Sequence, residues 1–127
     1  MSVSPAFRAH VVDLLDRAIG AVEDRRMFAG VGLFRDGLMI AILYDETFYL
    51  RTDAQTRPAF EDAGLEPFTP HSDTRRQVMP YHRAPDAALE DPEALRPWAE
   101  EALAAARRAA TKRPAKGSTR RTKPAAP

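Results

Sequence analysis

The sequence has no cysteine, which excludes a disulfide framework and any thiolate metal site and leaves nothing pointing to an oxidising compartment. Long apolar runs are absent too. The longest uncharged one, Leu38 to Tyr44, is far short of a membrane span, and Met1 to Phe7 has neither the basic nor the apolar region of a secretory signal. A cytoplasmic chain with no membrane association is therefore expected. Serine is scarce: Ser2, Ser4 and Ser118 lie near the chain ends, and Ser72 falls in an apparent turn with no G-x-S-x-G frame, so no nucleophilic triad can be assembled. The three histidines, His10, His71 and His82, show no paired ligand spacing. A turn at Ser72–Thr74 would leave His82 some 20 Å along its strand from His71 at ordinary strand rise. No metal or cofactor is expected. The carboxylates Asp13, Asp16, Glu23, Asp24, Glu100 and Glu101 fall on polar helix faces or helix ends, where solvation is their ordinary role.

Lysine is missing from the first 106 residues, and this exposes a division that the formal net charge of +1 conceals. Residues 1–106 set eleven arginines against all eighteen acids, a balance of −7, whereas residues 107–127 carry five arginines and three lysines with no acid, +8. An acidic body thus precedes a basic tail. At 127 residues the chain is long enough for one compact core and too short for two ordinary domains. Residues 1–110 are read as the folded domain. Residues 111–127, with no large apolar side chain beyond Pro114, cannot bury enough surface to offset ordering entropy and are read as a disordered basic tail.

The apolar residues Phe7, Val11, Leu14, Leu15, Ala18, Ile19 and Val22 recur at helical spacing behind Ser4 as N-cap and Pro5 at the first helical position, predicting a helix over Pro5–Val22. Glu23 to Arg26 reads as a charged lead-out. Val31–Arg35 and Leu38–Leu43 flank Asp36-Gly37, a two-residue type I′ turn, and Thr47–Arg51 follows the equally short Asp45-Glu46. With both loops at two residues, one sheet face would hold Gly32, Phe34, Met39, Ala41, Leu43, Phe48 and Leu50. The other would hold Val31, Leu33, Arg35, Leu38, Ile40, Ile42, Tyr44, Thr47, Tyr49 and Arg51. Both faces are largely apolar, which calls for helices on both sides or a second copy of the protein. A homodimer or protein-partner surface is expected around Val31, Leu33, Ile40, Ile42 and Tyr49.

A short helix should start near Thr56, with Pro58 in its first turn, Phe60 as its anchor and Gly64 as a left-handed stop. Glu66–Pro70 and Arg76–Arg83 read as two further strands whose prolines mark edges or bulges. A turn of helix follows Pro85. Asp91 and Pro92 then start a C-terminal helix carrying Leu95, Trp98, Ala99, Ala102, Leu103 and Ala106 on one stripe, with a kink or restart expected at Pro97. The fold class is α+β: an antiparallel sheet of about five strands packed with an N-terminal, a short middle and a C-terminal helix. Gly30-Val31-Gly32 is not a dinucleotide loop, because it leads into a strand rather than a helix and lacks the third glycine; a bulge or a close backbone crossing explains it better.

Arg107, Arg108, Lys112, Arg113, Lys116, Arg120, Arg121 and Lys123 form the basic stretch. Such a stretch can neutralise phosphates by counterion release and give weak, non-specific DNA or RNA contact, without aromatic residues for base stacking. Without a nucleic-acid role, the tail is a solubilising extension or an arm folded onto its own acidic body.

Three runs carry a family signal: Arg26-Met27-Phe28-Ala29-Gly30-Val31-Gly32-Leu33-Phe34-Arg35-Asp36-Gly37, then Phe48-Tyr49-Leu50-Arg51, then Gly64-Leu65-Glu66-Pro67-Phe68. With Tyr81, Arg83-Ala84-Pro85, Leu89 to Leu95 and Trp98, they resemble the N-terminal domain of the TfoX/Sxy competence regulators over about residues 8–110. The motif positions are Met27, Phe28, Gly30, Gly32, Asp36, Gly37, Tyr49, Arg51 and Trp98. The family commonly has Gly-Gly where Ala29-Gly30 stands, Lys at the place of Arg51 and a small polar residue at that of Pro80, and its full-length regulators carry a second, C-terminal domain. The resemblance implies no catalytic chemistry and a bacterial regulatory role through partner proteins, typically the cyclic-AMP receptor protein at DNA. A competing class is a small ligand-binding domain or enzyme with a pocket between sheet and C-terminal helix near Phe28, Tyr49 and Trp98. A third is a stand-alone adaptor that binds another protein.

Overall fold

The computed structural model describes residues 3–27, 30–69 and 79–112. The expected Ser72–Thr74 turn with His71, the motif residue Phe28, and the basic stretch from Arg113 onward lie outside the described residues.

Helix α1, Pro5–Ile19, begins as read: Ser4 Oγ accepts from the Phe7 amide at 3.2 Å, and Val11, Leu14, Leu15 and Ala18 are its buried stripe. It stops three residues short of Val22. Gly20 leaves helical space at φ +101°, its N–H still bonded to the Asp16 carbonyl, and the Asp16 carboxylate takes the Val22 amide at 3.0 Å. The residues read as a charged lead-out are instead strand β1, Glu23–Met27. Little in Glu-Asp-Arg-Arg-Met favours a strand; the segment is extended because it pairs along β2, while Arg8 on α1 holds Asp24 at 2.6 Å and the Arg25 guanidinium lies 4.5 Å over the Phe34 ring.

Strands β2 (Gly30–Arg35), β3 (Leu38–Tyr44), β4 (Thr47–Arg51) and β5 (Tyr81–Arg83) complete a five-stranded antiparallel sheet among the described residues, in sequential order. Asp36 and Gly37 both have positive φ, as the type I′ turn requires. So do Asp45 and Glu46, without any glycine, and Ser4 steadies this second turn by donating its N–H and Oγ to the Glu46 carboxylate at 2.7 and 2.9 Å. In the described part of the strand predicted at Glu66–Pro70, residues 66–69, the pairing is a bridge between Pro67 and His82, since Pro67 has no N–H to give a ladder. Its flanks still pair through Arg83 N–H to Glu66 O at 2.9 Å and Phe68 N–H to Tyr81 O at 2.8 Å.

A β-bulge changes the register. Pairing runs Arg35 with Leu38 and Phe34 with Met39, but then Leu33 with Ala41, Gly32 with Ile42 and Val31 with Leu43, so Ile40 is the extra residue. A two-residue turn alone would have set Leu33 opposite Ile40. The slip moves Val31 and Leu33 onto the face of Ala41, Leu43, Phe48 and Leu50, where all are buried together with Ile40. Gly32, Phe34 and Met39 pass to the other face. The partner surface expected around Val31, Leu33 and Ile40 is thus corrected: those three are core, and of the five only Ile42 and Tyr49 belong to the opposite side.

Helix α2, Arg57–Asp62, follows Thr56 with Pro58 in its first turn; Phe60 is buried and Gly64 takes φ +76°. A 3₁₀ turn, Asp86–Leu89, leads to α3, Pro92–Lys112, whose described span runs through Pro97 as one helix rather than restarting there. Helices α1 and α3 lie together on the Leu43–Phe48–Leu50 face. Arg96 Nε donates to Ala18 O at 2.9 Å, tying α3 to α1, and His10 Nε2 donates to Leu89 O at 2.6 Å, tying α1 to the 3₁₀ turn.

A methyl group on Gly30 would run into the Leu43 carbonyl oxygen, a backbone atom fixed in the β2–β3 ladder, whereas one on Gly37 would meet open space. Gly30→Ala is expected to cost about 1–3 kcal/mol, read as a lower urea midpoint at unchanged slope. Gly37→Asn, which tolerates positive φ, should change the midpoint far less.

Candidate functional site

The face turned away from α1 and α3 is the most distinctive surface of the domain. Register places Met27, Gly30, Gly32, Phe34, Met39, Ile42, Tyr44, Tyr49, Arg51 and Tyr81 on it. Phe68 lies over its centre, 5.2 Å from the Tyr44 ring in an edge-on arrangement and 4.7 Å from Tyr49. Ile42, Phe68 and Tyr81 are buried, while Met39, Tyr44, Tyr49 and Met79 pack around them half-exposed.

Gly32 explains how this face is built. A Cβ there would strike the sulfurs of Met27 and Met39, so the missing side chain lets two thioethers and the Phe34 ring lie flat against the strand. Methionine is flexible and polarisable, and a surface lined with it can repack around different partners. Arginines border the patch: Arg25 over Phe34, Arg51 with its guanidinium 5.6 Å from the Tyr81 ring centroid, and Arg83 paired with both Glu66 oxygens at 3.1 Å. Burial raises the pKa of both Tyr81 and Tyr49, for Tyr49 with help from the charge of Glu66, so both phenols stay neutral at physiological pH. Aromatic rings, methionines and arginines together are the composition of a protein-contact surface.

Of the motif positions, Met27, Gly30, Gly32, Tyr49 and Arg51 share this face; Asp36 and Gly37 form the β2–β3 turn. Trp98 is elsewhere. It packs on α3 against Phe60, ring centroids 4.8 Å apart, on the helix side of the sheet. The sheet lies between Tyr49 and Trp98, so these two do not line a common pocket, and Phe28, the third residue named for it, lies outside the described residues. A cavity of about 410 Å³ opens instead at the β5 edge, lined among others by Thr52, Arg57, Glu61 and His82. His82 is buried there, sharing a 3.2 Å hydrogen bond between its Nδ1 and Thr52 Oγ1 with its ring against Phe60.

Within the basic stretch, Arg107 and Arg108 are drawn into the body. Arg108 grips Asp53 through Nε at 2.7 Å and Nη2 at 3.2 Å, and Arg107 reaches Asp36 at 3.6 Å. The described part of α3 runs to Lys112. The Arg108 hydrogen bonds pull the Asp53 pKa down to about 2. Among the described residues no cluster of three metal-ligating side chains occurs, and no helix is long and apolar enough to cross a membrane. Alternation along β3 already set Tyr44 beside Ile42 and Tyr49, whereas Met39 reaches this face only through the bulge and Phe68 belongs to no strand of the sheet.

Two pH windows follow. Desolvation lowers the His82 pKa, with the charge of Glu61 acting against it, so the unfolded chain takes up this proton first. Stability should fall as pH drops below about 6.5 and level off once the folded imidazole is protonated too. His82→Gln should flatten that step. Asp53 contributes fully above its ordinary pKa of 3.8, and its contribution disappears as pH falls toward about 2. Asp53→Asn should remove this second window and cost about 1 kcal/mol at pH 7. Chemical denaturation across pH measures both.

Comparison with known proteins adds a family to this geometry. A model of the TfoX N-terminal domain matches residues 13–106. The DNA transformation protein TfoX of Haemophilus influenzae is 33% identical over 75 residues, covering 58% of this chain and 35% of that protein. The DNA transformation protein TfoX1 of Aliivibrio fischeri is 28% identical over 87 residues, covering 68% of this chain and 42% of that one. The chain thus spans less than half the length of these relatives. The matched span runs from the middle of α1 through the sheet to the buried part of α3, and the chain belongs to the TfoX N-terminal domain family.

Proposed function

We propose that this chain is a non-catalytic regulatory domain connected with DNA transformation, which binds a protein partner through the Tyr49-centred sheet face. The observation that carries the reading is that face. It gathers half-exposed tyrosines and methionines around a buried Ile42–Phe68–Tyr81 centre, bordered by arginines, and five of the family-motif positions fall on it. The two relatives named as DNA transformation proteins support the process, and the partner implied by the resemblance is a cyclic-AMP receptor protein on its DNA. The displaced carboxylates, Asp53 and Glu66, owe their low pKa values to arginine partners and backbone hydrogen bonds, which suits structural rather than acid–base roles. The basic stretch beyond Lys112 adds weak, sequence-independent contact with phosphates.

Addition of the chain to a fluorescent promoter duplex carrying the receptor protein should raise anisotropy saturably, and Tyr49→Ala should weaken that step about tenfold or more. No response to the chain, or equal affinity for the variant, would remove the sheet face from the mechanism. On bare duplex, the full chain should bind with a steep salt slope while a version ending at Lys112 should not. If neither binds, DNA is reached only through the partner.

A further inference from the structure

The cavity at the β5 edge has a polar inner wall. Its deepest side chain is His82, 3% exposed, whose Nδ1 shares a 3.2 Å hydrogen bond with Oγ1 of Thr52, itself 2% exposed. His82 Nε2 has no hydrogen-bond partner among the described residues, yet it is not sealed from water as Arg35 Nε and Arg51 Nε are. A buried ring with one nitrogen bonded and the other open to a cavity keeps a polar group free for whatever enters. At the mouth stand Arg57 and Glu61, one turn apart on α2. Both side chains are exposed, neither forms a salt bridge among the described residues, and their charges act on His82 in opposite directions. Arginine four residues before glutamate is also the weaker order for direct pairing on a helix. Pro67 and Met79 supply an apolar wall, and the volume of about 410 Å³ falls within the roughly 300–1,000 Å³ of small-molecule clefts.

We propose that this cavity binds a small zwitterion of the α-amino-acid class through Arg57, Glu61 and His82. The guanidinium takes the carboxylate and Glu61 takes the ammonium, so one molecule satisfies two opposite charges that stand close together but unpaired. With Thr52 Oγ1 donating to Nδ1, His82 carries its proton on Nε2 and adds a second donor to the ligand carboxylate. Burial lowers the pKa of this imidazole, so it meets the ligand uncharged at neutral pH. A plain carboxylate would be opposed by Glu61 and a plain amine by Arg57. Pro67 and Met79 receive an aliphatic side chain, which favours an amino acid such as leucine over glycine. Binding here does not require a partner at the sheet face.

The assigned imidazole and amide resonances of His82 in the isotope-labelled full-length chain report on binding directly. L-leucine, titrated to millimolar concentration at neutral pH and constant ionic strength, should move them saturably. Its desamino analogue isocaproate and its decarboxylated analogue isoamylamine each lack one charge and should bind about tenfold more weakly. Arg57→Gln should weaken leucine binding about tenfold without weakening that of isoamylamine, and Glu61→Gln should weaken leucine equally without weakening isocaproate. Both positions lie on the exposed side of α2, so both variants should fold. A wild-type titration in which no His82 resonance saturates with leucine overturns the proposal without recourse to any variant. So does leucine binding no tighter than that of either analogue, or unchanged leucine affinity in the two variants.

Discussion

The extra residue in β3 governs how this domain divides its apolar side chains. Because side chains alternate along a strand, inserting Ile40 between Met39 and Ala41 reverses the faces of everything beyond it relative to the turn. Val31 and Leu33 then join Leu43, Phe48 and Leu50 beneath the helices, and Ile40 itself is fully buried. Without the bulge, Val31 and Leu33 would face away from α1 and α3 with Ile42 and Tyr49, and the helix layer would rest on Gly32 and Phe34 instead. The same insertion gathers Gly32, Met39 and Phe34 beside Met27 on the opposite face. Core and candidate surface are therefore two results of one backbone irregularity.

Arginine does much of the work of joining the elements. Arg8 connects α1 to β1, Arg96 connects α3 to the carbonyl end of α1, and Arg108 connects α3 to Asp53 just beyond β4. Each uses a guanidinium where a compact ammonium would give less directional bonding. The absence of lysine from the body is consistent with this use. The pattern also shows why charge counted along the chain is an incomplete guide. Arg107 and Arg108 belong to the basic stretch by sequence and to the acidic body by contact.

The sheet face has the physical make-up of a contact surface. Its central residues are fixed by burial and by the rings of Tyr44, Tyr49 and Phe68, while its methionines have several low-energy rotamers. A rigid centre gives specificity, and an adaptable margin accommodates partners of different shape.

Much of this was legible in the residues. Ser4-Pro5 and the i, i+3, i+4 stripe fixed the start and buried face of α1; Asp36-Gly37 marked the hairpin, Gly64 the end of α2, and Asp91-Pro92 the start of α3. The ordered motifs around Met27–Gly37 and Phe48–Arg51 pointed to the family later matched over residues 13–106. Those signals are local: a cap, a turn or a stripe needs only neighbouring residues to express its preference. Strand β1 was hidden because Glu-Asp-Arg-Arg-Met has no strand preference of its own and is extended only by pairing with β2. The bulge at Ile40 was hidden because nothing in Leu-Met-Ile-Ala says which residue will go unpaired; that is settled by the fit of Val31 and Leu33 against the helices. The sequence by itself determined the elements, their order and the family. Tertiary structure decided which face each strand residue occupies, which arginines are engaged and which cavity remains, because those depend on contacts between segments far apart in the chain.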